Sequence, residues 1–362
     1  MGTGCNTCLK DTDIDEERFI IDKRSHKNNK NLDSSFILFS PHPFYPEYDS
    51  SSIVLLQSVI RGYIERKSLS IKIHAGSHSR AESDTNSRSI IEIWGPIPDY
   101  SNSATITTAK KLGRFKYQKK FIDEVKVFKK GPVQIEGGAI YIGEWNENWE
   151  RYGKGIQTWK DGSKYEGYWK NDFANGRGRL IHSDGDSYEG DWVDGKASGK
   201  GIYIHSDDTR YEGDWLNDEK HGNGIEIWSN GSRYEGSYEY GKKHGKGKLI
   251  LADGSYEGDF FEGNIHGYGV YQWKDLRKYS GQWKNNKMDG QGSFVWPDGR
   301  FYKGEYHKDH KHGFGIFKWP NGKVYEGFWK NGKQNGLGKM TNSDGKIEEG
   351  EWRDGKLVQN KL

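Results

Sequence analysis

A repeat constrains this chain more than any other feature. Tyrosine recurs at positions 141, 165, 188, 211, 234, 256, 279, 302 and 325, at intervals of 24, 23, 23, 23, 22, 23, 23 and 23 residues. Two residues after each lies a glycine, and four after lies an aromatic ring. Tyr165-Gly167-Trp169, Tyr188-Gly190-Trp192 and Tyr211-Gly213-Trp215 show the pattern at its most regular. A Gly-x-Gly follows in every unit, from Gly153/Gly155 to Gly336/Gly338. A tenth unit starts at Glu348, keeps Gly350 and Trp352, and stops before its Gly-x-Gly. A fixed period of this length means an array of small units, each supported by its neighbours.

The spacing Tyr-x-Gly-x-Trp has period two, so the three side chains share one face of a strand. About six residues rich in Asn, Asp, Lys and Gly follow, as in 170–175, and read as a reversal. Gly-x-Gly then leads into a second short strand, such as 199–204. Asx-Gly pairs close the units, among them Asp161-Gly162, Asp184-Gly185 and Asn321-Gly322. Such pairs predict type I′ turns, which need positive φ at both central residues. Asp207-Asp208 and Asp275-Leu276 lack the glycine, so different turns are expected there. The strand glycines predict aromatic packing, with a ring from the neighbouring strand lying over bare backbone.

Composition supports an array with little separate core. The 362 residues include 14 Trp, 22 Tyr, 15 Phe and 49 Gly, yet hydrophobic residues total only 32%. Only 6 of the glycines and one tryptophan, Trp94, precede residue 131. The division expected is residues 1–48, a disordered start; 49–73, a helix; 74–105, a Ser/Asn-rich linker; 106–140, a basic capping segment; 141–356, the array; and 357–362, a tail.

The motif pair and its period resemble the MORN repeat family over about 141–356. The resemblance implies a mainly β fold, an elongated twisted ribbon of antiparallel hairpins, after an irregular and helical N-terminal region. It further implies a scaffold for membrane, cytoskeletal or signalling partners. Two alternatives follow from the same resemblance. One is a structural part of cilia or the axoneme, of the radial-spoke type; the other is a regulatory relative of phosphatidylinositol phosphate kinases without the kinase domain.

Residues 1–130 hold most of the other functional signals. Met1-Gly2 followed by small residues resembles an N-myristoylation signal, and both cysteines of the chain, Cys5 and Cys8, lie within six residues of Gly2. One acyl chain binds a membrane marginally, whereas two make the attachment stable. Ile53, Leu56, Ile60 and Ile64 follow helical spacing. Leu56-Gln57, Arg61-Gly62 and Arg66 resemble an IQ motif, which implies calmodulin or a related EF-hand protein as partner. Residues 110–130 are basic, with Lys110, Lys111, Arg114, Lys116, Lys119 and Lys120 leading. They read as a cap on the first repeat, with anionic-lipid contact added.

Other classes are disfavoured. No Gly-x-Ser-x-Gly, His-Glu-x-x-His or complete P-loop occurs, and every Tyr-Glu-Gly glutamate repeats with the period, so no catalytic constellation is expected. His221, His244 and His312 form a column, but successive units lie ~10 Å apart, while Zn–N bonds are ~2.0–2.1 Å. No metal or other cofactor is therefore expected in one chain. The net charge of +3 gives no argument for nucleic acid. Two cysteines without a disulfide framework fit an intracellular location, at the cytoplasmic face of a membrane, the cortex or a cilium. The ribbon is expected to bind a lipid surface, a cytoskeletal protein or a second copy of itself.

Overall fold

The computed structural model describes residues 91–93, 96–118 and 125–360. They fall into two units, divided between Gly263 and Asn264. Each is a run of antiparallel hairpins. In the first, β1 (Ile91–Glu92) pairs with β2 (Phe128–Gln134), and α1 (Ser103–Leu112) lies between them in sequence. Strands then follow in order from Ile140–Trp145 to Gly254–Phe261. The second runs from Asn264–Trp273 to Lys356–Asn360. That last strand pairs with Ile347–Arg353, so the array continues four residues past its expected end at 356. Ile91–Glu92 and the start of α1 likewise fall inside the stretch expected to be linker.

The glycines are explained by tyrosine. Gly167 pairs with Gly178, and the Tyr165 ring covers both; a Cβ on either would lie within 2.5 Å of its hydroxyl. The same holds for Tyr188 over Gly190 and Gly201. The covering ring thus comes from the glycine's own strand as well as from its neighbour, which the sequence did not lead us to expect. Each of the nine repeat tyrosines donates its hydroxyl to the carbonyl three residues on, as Tyr165 to Tyr168 O at 2.9 Å and Tyr211 to Asp214 O at 2.9 Å.

Where the fourth residue after the tyrosine is tryptophan, it ties the repeat to the one before. Trp169 Nε1 donates to Gly155 O at 3.3 Å, Trp192 to Gly178 O at 3.1 Å and Trp215 to Gly201 O at 3.2 Å. Tyr165 meets Trp169 edge-on at 4.9 Å and Trp192 at 5.3 Å. The contact recurs at Tyr188, Tyr211 and onward, so each unit presents one continuous aromatic face. A ring buries ~150–250 Å², which replaces an aliphatic core.

Two turn expectations are corrected. Gly162 has positive φ, but Asp161 does not; Gly162 N–H bonds Trp159 O at 3.0 Å and Trp159 N–H bonds Ser163 O at 2.9 Å. This is a three-residue loop, a type I turn followed by one left-handed residue. Asp208 (φ 69°) and Leu276 (φ 73°) take the same left-handed place, with the same hydrogen bond, so those turns do not differ. The type I′ turns lie at the opposite end of the hairpins, where a six-residue reversal was expected. Asn171-Asp172 has φ of 48° and 69°, and Asp194-Gly195 has 47° and 82°. Asn and Asp tolerate left-handed backbone, so glycine was not needed to mark them.

Gly-x-Gly forms a bulge. Gly176 has φ of 72°, and the pairing slips between Gly167 and Trp169. The bulge frees the N–H of the residue between the glycines. A side chain three residues after the repeat tyrosine takes it: Lys200 N–H bonds Asp191 at 2.9 Å, Asn223 N–H bonds Asp214 at 2.9 Å, and Gln291 N–H bonds Gln282 at 2.7 Å. Eight of the ten units carry Asp, Glu, Gln or Ser there; the exceptions are Tyr168 and Phe328.

Candidate interaction face

Opposite the aromatic face lies an open face, formed by the alternate residues of every strand. In the first unit it is charged and paired. Arg179 meets Glu189 at 2.7 Å, Lys200 meets Asp214 at 2.6 Å, Arg233 meets Glu235 at 2.7 Å and Lys246 meets Asp259 at 2.6 Å. Such pairs are individually worth ~0–1 kcal/mol, but they satisfy charges beside the backbone and set the face's pattern.

A strap covers part of this face. Asn102 caps α1, accepting from Ala104 N–H at 2.8 Å, and its amide donates to Asp161 O at 3.2 Å. Thr105 Oγ1 donates to His182 O at 3.4 Å, and Thr108 Oγ1 donates to Gly185 O at 2.9 Å. Lys111, at the end of α1, pairs with Asp208. The helix therefore steps across three successive repeat turns. At Gly113 the chain reverses onto the open face. Arg179 Nη1 donates to Gly113 O at 2.6 Å, and Phe115 is buried with the Arg179 guanidinium 5.6 Å from its ring. Tyr117 meets Tyr168 edge-on at 5.4 Å, and Tyr168 donates its hydroxyl to Gln118 O.

Beyond the strap the open face forms a groove of about 580 Å³. Its floor is Ile202, Ile225 and the glycine pairs between them. Lys200, Glu212, Asn223 and Glu235 stand along it, and Arg177 marks the end nearer the strap. The position taken by Arg179 under the strap is Ile202 one repeat later and Ile225 the next, so the surface changes from guanidinium to aliphatic as the groove begins.

The family model "MORN repeat" matches ten successive stretches: 141–164, 165–187, 188–210, 211–233, 234–255, 256–275, 279–299, 302–324, 325–347 and 349–358. Together they cover more than half of the chain. The protein belongs to the MORN repeat family. No curated protein matches it. Among solved structures, it is similar to the TCP10 domain of CPAP from Danio rerio, in complex with a STIL peptide, at 10% identity and TM-score 0.35, covering 65% of this chain and 99% of that one. A streptogramin B lyase matches at 15% identity and TM-score 0.14, covering 67% of this chain and 74% of that one. At these scores neither likeness bears on the fold or the site.

The aromatic face of the MORN array carries a charged cluster that sequence reasoning missed. Lys220 and Lys243 flank Glu226, all on the side of the tyrosines. Lys220 pairs with Glu226, Lys243 Nζ lies 3.6 Å from its second oxygen, and the Tyr238 hydroxyl donates to it at 3.0 Å. Burial alone would raise the Glu226 carboxyl. The two ammonium groups and the bonds from Lys220 and Tyr238 outweigh it and hold the group at about 2. Burial lowers the Lys243 ammonium, against the pull of Glu226. Neighbouring repeats put Leu180, Tyr203 and Leu249 at the Glu226 position, so a charge in an inward column was the available signal.

His182 is buried where α1 crosses, and its Nε2 has no hydrogen-bond partner. Burial pushes its pKa down, opposed by Asp184, Asp186 and Asp161. Among the described residues no group of three or more His, Cys, Asp or Glu side chains is placed to hold a metal ion.

Of the residues singled out from sequence, Tyr165, Gly167, Trp169, Tyr188, Gly190, Trp192, Tyr211, Gly213 and Trp215 meet on the aromatic face. Lys110 and Lys111 end α1, while Arg114 and Lys116 are exposed in the strap. Lys119 and Lys120 lie outside the described residues, as do Gly2, Cys5, Cys8, Leu56, Gln57, Ile60, Arg61, Gly62 and Arg66.

Proposed function

We propose that this MORN protein is a non-catalytic scaffold whose working surface is the open face of the array. The observation that carries the reading is the strap. An irregular polypeptide with alternating aromatic residues, Phe115 and Tyr117, already lies on that face, and the groove over Ile202 and Ile225 continues its track. A second extended polypeptide, from a cytoskeletal or signalling partner, fits there. Its side chains would rest on the aliphatic floor between Lys200, Glu212 and Glu235.

The N-terminal region supplies location and control in this proposal. Acylation at Gly2, Cys5 and Cys8 would tether the scaffold to a membrane, and the stretch 53–66 would recruit a calmodulin-like protein. The length of the 53–66 pattern and its arginines support the second role, and the clustering of both thiols beside Gly2 supports the first.

Selection of peptides from a displayed random library, using the full chain as bait, tests the groove. Selected peptides should lose at least tenfold in affinity for Ile202→Asp/Ile225→Asp. Peptides that bind this variant as well would remove the groove from the proposal. The cellular distribution of the intact protein beside Gly2→Ala/Cys5→Ser/Cys8→Ser tests the tether; identical distributions would remove it. A peptide of residues 50–70 that ignores calmodulin with and without Ca²⁺ would remove the second partner.

A further inference from the structure

Tyr168 and Phe328 are the two units in which an aromatic ring replaces the side chain that caps the bulge. A ring cannot accept that hydrogen bond, so each substitution gives up a local interaction. For Tyr168 the compensation is visible. It pairs across the strands with Lys154, the strap covers it, and it is only 3% exposed. Tyr117 lies on it, and the Lys154 ammonium lies 5.4 Å from the Tyr117 ring.

Phe328 occupies the same place seven repeats later. Its cross-strand partner is Phe314, which takes the position of Lys154, and the two rings meet edge-on at 5.7 Å. Ile316 stands where Ile156 stands under the strap. Yet Phe328 is 47% exposed, Phe314 43% and the neighbouring Leu337 65%. Scattered exposed apolar residues need no explanation, but a contiguous set marks an interaction site. Lys303, Lys318 and Lys330 share this face and pair with no described carboxylate. The patch is apolar and carries three lysines with no described carboxylate partner, beside Glu305 and Glu326 on the same face.

We infer that this patch is the seat of a second strap, supplied by residues 36–49 of the same chain. That segment lies outside the described residues, and its sequence, Phe-Ile-Leu-Phe-Ser-Pro-His-Pro-Phe-Tyr-Pro-Glu-Tyr-Asp, has the required chemistry. It carries Phe36, Phe39, Phe44, Tyr45 and Tyr48. Its three prolines disfavour helix and favour the extended backbone that a sheet face accepts. No Lys or Arg occurs from Asn31 to Ile60, whereas Asp33, Glu47 and Asp49 do. The acids complement Lys303, Lys318 and Lys330. The 42 residues from Asp49 to Ile91 span up to about 140 Å when extended. Being intramolecular, the docking needs only modest intrinsic affinity to dominate. The inference is independent of the Ile202/Ile225 groove and of any lipid or calmodulin role.

The test uses a fluorescein-labelled peptide of residues 36–49 and three full-length chains. The wild-type chain, its patch filled, should bind the peptide weakly. Phe44→Ser/Tyr45→Ser/Tyr48→Ser empties the patch and should bind it at least tenfold more tightly. Adding Phe314→Ser/Phe328→Ser should abolish that gain, while Ile202→Asp/Ile225→Asp should leave it intact. Both phenylalanines are exposed, and unchanged thermal unfolding of each variant shows that it folds. Equal peptide binding by the wild-type and triple-serine chains would overturn the inference, as would binding that survives loss of Phe314 and Phe328. Vesicles of phosphatidylserine and phosphatidylcholine provide the competing outcome. Binding that requires Phe328 but is the same for wild-type and triple-serine chains would assign the patch to lipid instead.

Discussion

Tyr168 and Phe328 sit at one position of the same repeat, yet their surroundings differ. Tyr168 lies under Tyr117 and bonds the strap backbone, while Phe328 stands nearly half exposed beside Phe314. The backbone around them is the same: the same bulge, the same tyrosine over paired glycines, the same type I′ turn. The repeat therefore builds the sheet, and the open-face residues decide what the sheet meets. In the first unit those residues are ion pairs and a strap. In the second they include Phe314 and Phe328 with Lys303, Lys318 and Lys330, which pair with no described carboxylate, beside the Lys339–Glu349 pair. The difference shows that a uniform scaffold can present two chemically distinct surfaces without altering its framework.

The largest expected effect breaks the first unit at its buried charge. Glu226→Ala leaves Lys220 and Lys243 without their carboxylate and should cost about 3–5 kcal/mol in urea unfolding at pH 7. The matching residue of a later repeat, Phe317, should tolerate Leu for less than about 1.5 kcal/mol. A cost below about 1 kcal/mol for Glu226→Ala would mean that the two units do not differ there.

The aromatic pair itself comes next. Tyr168→Ser removes a buried ring and a strap contact, for about 2–4 kcal/mol, and should speed proteolysis between 113 and 118. Phe328→Ser, at the same repeat position, should change stability by no more than about 0.5 kcal/mol in the Phe44→Ser/Tyr45→Ser/Tyr48→Ser chain, whose patch is empty. Equal costs would erase the contrast between covered and bare faces.

The units should also respond oppositely to pH. Glu226 is held at about 2, below its unfolded value of 4.5, so its stabilisation is present above pH 4.5 and is lost as pH falls toward 2. Asp309 is raised to about 6, chiefly by burial. Its folded state binds the extra proton, so its contribution favours folding below pH 3.8 and is lost as pH rises through about 6. Urea midpoints measured from pH 3 to 7 for Glu226→Gln and Asp309→Asn should each flatten one of these slopes. A wild-type slope left unchanged by either substitution would refute that assignment.

The smallest effect concerns the strap's outer end. Lys111 and Asp208 are both largely exposed, so Lys111→Ala should shift stability by less than about 0.5 kcal/mol. A loss above 1 kcal/mol would mean that the strap is held by charge rather than by Phe115, Tyr117 and the threonine bonds.

Much of the framework was legible before any coordinates. The 23-residue period and the two-residue alternation of Tyr, Gly and Trp placed the strands and their common face, because both are local, repeated properties. The turns were less legible. Asx-Gly pairs pointed to type I′ geometry at the wrong end of the hairpin, since Asn171-Asp172 reaches the same φ values without glycine. The bulge and its capping side chains were also missed. Their signal was present, in the Asp, Glu, Gln or Ser three residues after most repeat tyrosines and its replacement at 168 and 328.

The sequence by itself determined the repeat, its strand order and the residues of the aromatic face, because hydrogen bonds and ring contacts between adjacent strands follow from a fixed spacing. Only the tertiary structure decided that residues 103–118 cross three repeats and cover Tyr168, while no other described segment crosses Phe328. It also decided that Glu226 lies between two lysines. Contacts such as Tyr168 with Gln118 join residues 50 apart, and no period in the chain encodes where a non-repeating segment will come to rest.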